Sequence, residues 1–119
     1  MTINSSASVE QLAAERFARF QQRPEVRRVT SRYADWARTS DGVTVNVQLS
    51  GLAMMRLAGR LSRNDYKKAV RDLAATSSIP PHDFRIFAKC ILEFTRCALA
   101  GSGQFDAGHT DWDVEGDDE

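Results

Sequence analysis

Eight residues in the middle of the chain restrict its fold more than any other segment. From residue 43 to 50, Val43, Val45, Val47 and Leu49 alternate without a break with Thr44, Asn46, Gln48 and Ser50. Side chains on an extended strand point to opposite faces with period two, so the pattern predicts one half-buried strand rich in β-branched residues. A single strand cannot satisfy the N–H and C=O groups along its own edges. No second segment alternates comparably, so the partner is either a weakly marked strand elsewhere or the same strand in a second copy. The second arrangement implies a two-fold homodimer, with Val43, Val45, Val47 and Leu49 as the dimer strand.

Around that strand the apolar spacing is helical. Ser8 stands three residues before Gln11, the spacing of a helix cap, and Val9, Leu12, Ala13, Phe17 and Phe20 follow on one face. Pro24 ends that helix or opens the next, in which Val26, Val29, Tyr33, Trp36 and Ala37 recur. Asp41-Gly42 reads as a turn. Leu52 to Leu61 returns to helix, interrupted by Gly59, and Ser62 caps a further helix with Tyr66, Ala69, Val70 and Leu73 inward. A last helix spans about His82 to Ala100, stopping at Gly101, with Phe84, Phe87, Ile91, Phe94 and Ala98 at 3,4 spacing. The expected fold is therefore mainly α: about five helices, one short strand (residues 43–50), and an acidic C-terminal tail. A single helical domain covers 1–101, and 102–119 form a flexible acidic tail.

The formal net charge of zero hides a segregation. All 16 Lys and Arg lie in residues 1–101 against nine Asp and Glu, a balance of +7, while residues 102–119 hold seven acidic residues and no basic one. A basic body with an acidic tail favours electrostatic contact with a partner or with its own tail. No charged and then apolar leader is visible at the N-terminus, and no apolar run approaches the roughly 20 residues that span a bilayer. Cys90 and Cys97, seven apart on a helix, have Cα atoms roughly 10 Å apart, too far for a disulfide. They read as small core residues of a reduced, cytoplasmic protein.

The chemistry of catalysis is hard to assemble from these residues. His82 and Cys90 are more than two helical turns apart, and there is no nucleophile elbow, phosphate loop or zinc-spaced cluster. Asp111-Trp112-Asp113-Val114-Glu115-Gly116 imitates the start of a calcium loop but lacks its bidentate glutamate. The expectation is no enzyme, no cofactor, no metal and no small-molecule substrate.

Binding residues are easier to find. Arg27, Arg28 and Arg32 cluster on one helix, and guanidinium groups suit carboxylates and phosphates. Phe87, Ile91 and Phe94 belong to a helix more apolar than a small monomer needs, and Trp112 places an aromatic anchor among the tail carboxylates. The leading expectation is a small regulatory protein that binds another protein, as a dimer, inhibiting or adapting a target such as a transcription regulator. The tail is read as solvated, as docked on the body, or as the ligand of a partner. Residues 43–76, a strand followed by two helices, also resemble the ribbon-helix-helix family of DNA-binding proteins at the level of pattern. The resemblance implies a dimeric ribbon in the major groove with Thr44, Asn46 and Gln48 reading bases and Ser50 touching a phosphate. DNA-binding transcription regulation is accordingly the alternative expectation.

Overall fold

A computed structural model describes residues 8–102. Trp112 and the acidic tail lie outside the described residues.

Five α-helices make up the architecture: α1 (Val9–Gln21), α2 (Pro24–Arg32), α3 (Ser40–Leu57), α4 (Arg63–Ala75) and α5 (Pro81–Ser102), with one 3-10 turn at Trp36–Arg38. Each boundary has a local cause. The Ser8 hydroxyl accepts from the Gln11 amide at 3.0 Å, and the Ser62 hydroxyl from the Asp65 amide at 3.1 Å. These caps satisfy amides that a first turn leaves open. Pro24 opens α2, where its missing N–H costs nothing. α3 ends in a Schellman arrangement: Gly59 takes φ 77°, its amide donates to the Arg56 carbonyl, and the Arg60 amide donates to that of Met55.

The expected strand is not there. Residues 43–50 lie within α3, and no strand occurs among the described residues. Thr39 caps this helix by accepting from the Gly42 amide at 3.1 Å, Asp41 sits in the first turn and Arg56 in the last, so both ends suit the helix dipole. Asp41-Gly42 is therefore the opening of a helix and not a turn. Gly42 is needed there: a Cβ on it would collide with the Trp36 carbonyl oxygen and with the Ala37 backbone. Once wound, Leu49 is buried, Val45 half-buried, and Val43 and Val47 are more than half exposed. The core stripe is Gly42, Val45, Leu49, Ala53 and Arg56, with helical spacing. Packing of that stripe overrides the β preference of the valines.

α5 is the central element and packs against α1, α2, α3 and α4. Phe84, Phe87, Ala88, Ile91 and Leu92 of α5 join Val29 of α2, Leu49, Ala53 and Leu57 of α3, Val70 of α4 and Ile79 in one core. Trp36 adds an edge-on contact to Phe87 at 5.6 Å between ring centres. α4 and α5 form a hairpin joined by residues 76–80. The mainly helical expectation with five helices is met, and no helix is long and apolar enough to cross a membrane among the described residues.

Candidate functional site

The residues singled out as partner contacts separate when the chain folds. Phe87 and Ile91 are each 9% exposed and belong to the core, so neither is available to a partner. Phe94 stays 60% exposed, edge-on to Phe17 of α1 at 5.9 Å. Arg28 and Arg32 turn toward Asp83 in the first turn of α5, their Nη1 atoms 3.8 and 3.6 Å from its two oxygens. Asp83 is buried and also accepts a 2.8 Å hydrogen bond from the Tyr33 hydroxyl. That bond, with burial and the negative charge of Asp83, raises the Tyr33 phenol pKa above its ordinary value, against a smaller lowering by Arg32. Arg27 is exposed on the same helix and is not drawn into this cluster. The Arg27, Arg28, Arg32 patch is thus divided, with two of its members holding the start of α5.

A second polar cluster lies beneath α1. Glu93 is 2% exposed and Arg96, one turn on, is fully buried, with Arg96 Nη1 2.7 Å from Glu93 Oε1. Arg16 Nε reaches both carboxylate oxygens at 3.0 and 3.1 Å. Desolvating one carboxylate and one guanidinium is costly unless both are paired with good geometry, which these distances provide. Beside them, burial and the nearby Glu93 charge push the Cys90 thiol up to about 11. Such a thiol is protonated at neutral pH and a poor nucleophile.

The ribbon residues part company too. Thr44 and Gln48 lie a turn apart on α3, whereas Asn46 lies across the cylinder. The Thr44 hydroxyl donates to the Ser40 carbonyl and the Ser50 hydroxyl to Asn46 Oδ1. With Val43, Val45, Val47 and Leu49 wound into a helix, both the paired dimer strand and the DNA-reading ribbon lose their premise.

A cavity lies between α4 and α5, with a volume of about 660 Å³, within the usual size for a ligand site. Its accessible apolar base is supplied by Tyr66, Ala74, Ala75 and Pro81, beneath which lie the core residues Val70, Phe84, Ala88 and Leu92. Its rim carries Arg63, Lys67 and Arg71 from α4 and His82, Arg85 and Lys89 from α5, and no Asp or Glu lines it. Arg63, Lys67, Arg71 and Arg85 form no ion pair with a carboxylate among the described residues. Asp72 on α4 faces elsewhere, paired with Lys68 at 3.0 Å.

Sequence reading passed over this groove, although its signal was present. Arg63, Lys67 and Arg71 stand at i, i+4, i+8, and Arg85 and Lys89 at i, i+4, so each set forms a stripe along its helix. Glu93 and Asp83 were equally visible as the two acids of an otherwise largely apolar helix. Among the described residues no group of three potential metal ligands converges.

Fold and groove together define a class: a five-helix domain with a cation-rimmed, apolar-based groove along one helical hairpin. Comparison with protein families, curated proteins and solved structures finds no match for this chain.

Proposed function

We propose that this chain is a small non-enzymatic regulatory protein that binds another protein, and that its α4–α5 groove receives an acidic segment bearing apolar side chains. One observation carries the reading: the accessible apolar surface of Tyr66, Ala74, Ala75 and Pro81 is flanked by Arg63, Lys67, Arg71 and Arg85, with no carboxylate among the lining residues. An apolar base rewards desolvated aromatic or aliphatic side chains, while unneutralised cations reward carboxylates and speed encounter. A pure phosphate ligand would leave the base unused. Single-stranded nucleic acid would want several exposed aromatic platforms, and the lining offers Tyr66 and the buried Phe84.

The test is fluorescence anisotropy with a labelled acidic peptide containing Trp and Leu, with labelled single- and double-stranded oligonucleotides in parallel. Peptide binding that is lost in the double variant Lys67→Glu, Arg71→Glu supports the reading. Peptide binding indifferent to that variant, or tighter oligonucleotide binding with a steep salt dependence, rejects it.

The outward face of α3 favours a second reading, self-association. Val43, Val47 and Met54 are each at least half exposed, and residues 42–55 contain no charged side chain. A monomeric mass by sedimentation at about 100 μM, well above the micromolar range of standard interfaces, rejects it.

A further inference from the structure

The groove has a ligand of matching chemistry on its own chain. Residues 103–119 follow directly on α5 and carry seven carboxylates, no Lys or Arg, and the apolar side chains Phe105, Trp112 and Val114. Asp111, Asp113 and Glu115 bracket Trp112. A cation rim over an apolar base is complementary to that pattern in both charge and hydrophobicity.

Geometry permits the contact. Along α5, Leu92 lies roughly 15 Å and His82 roughly 30 Å before Ser102 at 1.5 Å per residue. Trp112 follows Ser102 by ten residues, a span of up to about 33–36 Å when extended. The hairpin places Arg63 and Tyr66 of α4 at the Leu92 end, so a chain turning back after Ser102 meets that end of the groove first. Trp112 can therefore reach any part of the apolar base without α5 unwinding.

We propose that residues 103–119 fold back on the same molecule and occupy the α4–α5 groove, with Trp112 against the accessible apolar surface of Tyr66, Ala74, Ala75 and Pro81 and the carboxylates against Arg63, Lys67, Arg71 and Arg85. The tail then acts as a built-in competitor that a partner's acidic segment must displace. This rests on the groove being a site for acidic apolar-bearing segments. It also accounts for the segregated charge: the seven acids of the tail are held where the body has cations without acids.

A short tether gives the tail an effective concentration on the order of 1 mM. With an intrinsic dissociation constant of about 0.1 mM, it would weaken an outside ligand about tenfold at that concentration. The test uses the full chain and two labelled probes: a peptide of residues 103–119, and an unrelated acidic peptide containing Trp and Leu. Anisotropy is measured on the wild-type chain, on a tail variant (Trp112→Ala with Asp111→Asn, Asp113→Asn and Glu115→Gln), and on that variant with Lys67→Glu and Arg71→Glu.

The expected result is that both probes bind the tail variant about tenfold more tightly than wild type, and that reversing the rim removes the binding. Equal, rim-dependent affinity for wild type and tail variant overturns the docked tail while the groove reading stands. Binding of the unrelated peptide alone does the same. Failure of both probes on the tail variant overturns both. A wild-type mass that doubles with concentration, and returns to monomer in the tail variant, overturns the intramolecular contact in favour of exchange between copies.

Discussion

The two flanks of α5 handle positive charge in opposite ways. Toward α1 and α2, cations meet carboxylates: Arg16 and Arg96 share Glu93, and Arg28 and Arg32 surround Asp83. Toward α4, Arg63, Lys67, Arg71 and Arg85 line one groove without an acid. The difference separates charge that holds the fold from charge left for something else. A buried pair is expensive to break because one partner's loss strands the other in a poor solvent. A solvated rim contributes little to folding and keeps its field for a ligand.

Breaking the first flank has the largest expected effect. Glu93→Ala takes a carboxylate away from the fully buried Arg96 and from Arg16, and should cost about 3–5 kcal/mol in urea denaturation. That is a large part of the 5–15 kcal/mol typical of a domain. A loss under about 1 kcal/mol, no more than an exposed pair, would erase the contrast between the flanks. Replacing the pair by apolar groups, Glu93→Leu with Arg96→Met, should recover most of the loss, since such exchanges are often neutral. Asp83→Asn comes next at about 1–2 kcal/mol. It weakens the Tyr33 bond and leaves Arg28 and Arg32 without their anion, but both guanidiniums are more than half exposed and solvent screens them.

How legible each flank was depends on the kind of signal it carries. The helices with clear caps and spacing were readable: Ser8, Ser62 and the Phe84–Phe87–Ile91 stripe stand where spacing puts them. The segment 43–50 was not, because two periods coexist in it. Strict alternation of valines covers eight residues, whereas the helical stripe Gly42, Val45, Leu49, Ala53 needs a longer window and counts a glycine as a core position. The close approach of Gly42 to the Trp36 carbonyl six residues earlier depends on the 3-10 turn and the Thr39 cap, which hydrophobic periodicity does not mark. Arg28 and Arg32 looked like free binding groups because Asp83 lies more than fifty positions on. The groove cations were legible as stripes, but their lack of acids becomes visible only when α4 and α5 are brought together.

High pH probes the acid-bearing flank through its neutral neighbours. Cys90 and Tyr33 both have folded pKa values raised, largely by burial for Cys90 and by the Asp83 bond for Tyr33. Each raised group keeps its proton in the folded state after the unfolded chain has begun to lose it. The unfolded state then binds fewer protons, so stability must fall as pH rises. For Cys90 the window opens near pH 9 and closes near pH 11, and Tyr33 adds to it from pH 10 upward. Denaturation midpoints should be flat from pH 7 to 8.5 and decline above 9, with Tyr33→Phe removing part of the decline. At pH 8 Cys90 should react with iodoacetamide on the order of a hundredfold more slowly than a free thiol. An alkylation rate near that of free cysteine would show that the thiol is not shielded by burial beside Glu93.

The smallest expected effect on stability is the most informative about the other flank. Lys67→Glu with Arg71→Glu reverses two charges on α4, and exposed substitutions of this kind usually change stability by no more than about 0.5 kcal/mol. The sign should be neutral or slightly favourable: no carboxylate loses a partner, and two repulsions along the rim become attractions to Arg63 and Arg85. The measured midpoint and slope in urea should therefore match wild type. A loss of more than about 1 kcal/mol, beyond what exposed substitutions cost, would mean that the rim supports the fold as Glu93 does, and the asymmetry of α5 would vanish. Unchanged stability with abolished peptide binding would instead assign these cations to the ligand, because nothing in the folded body needs them.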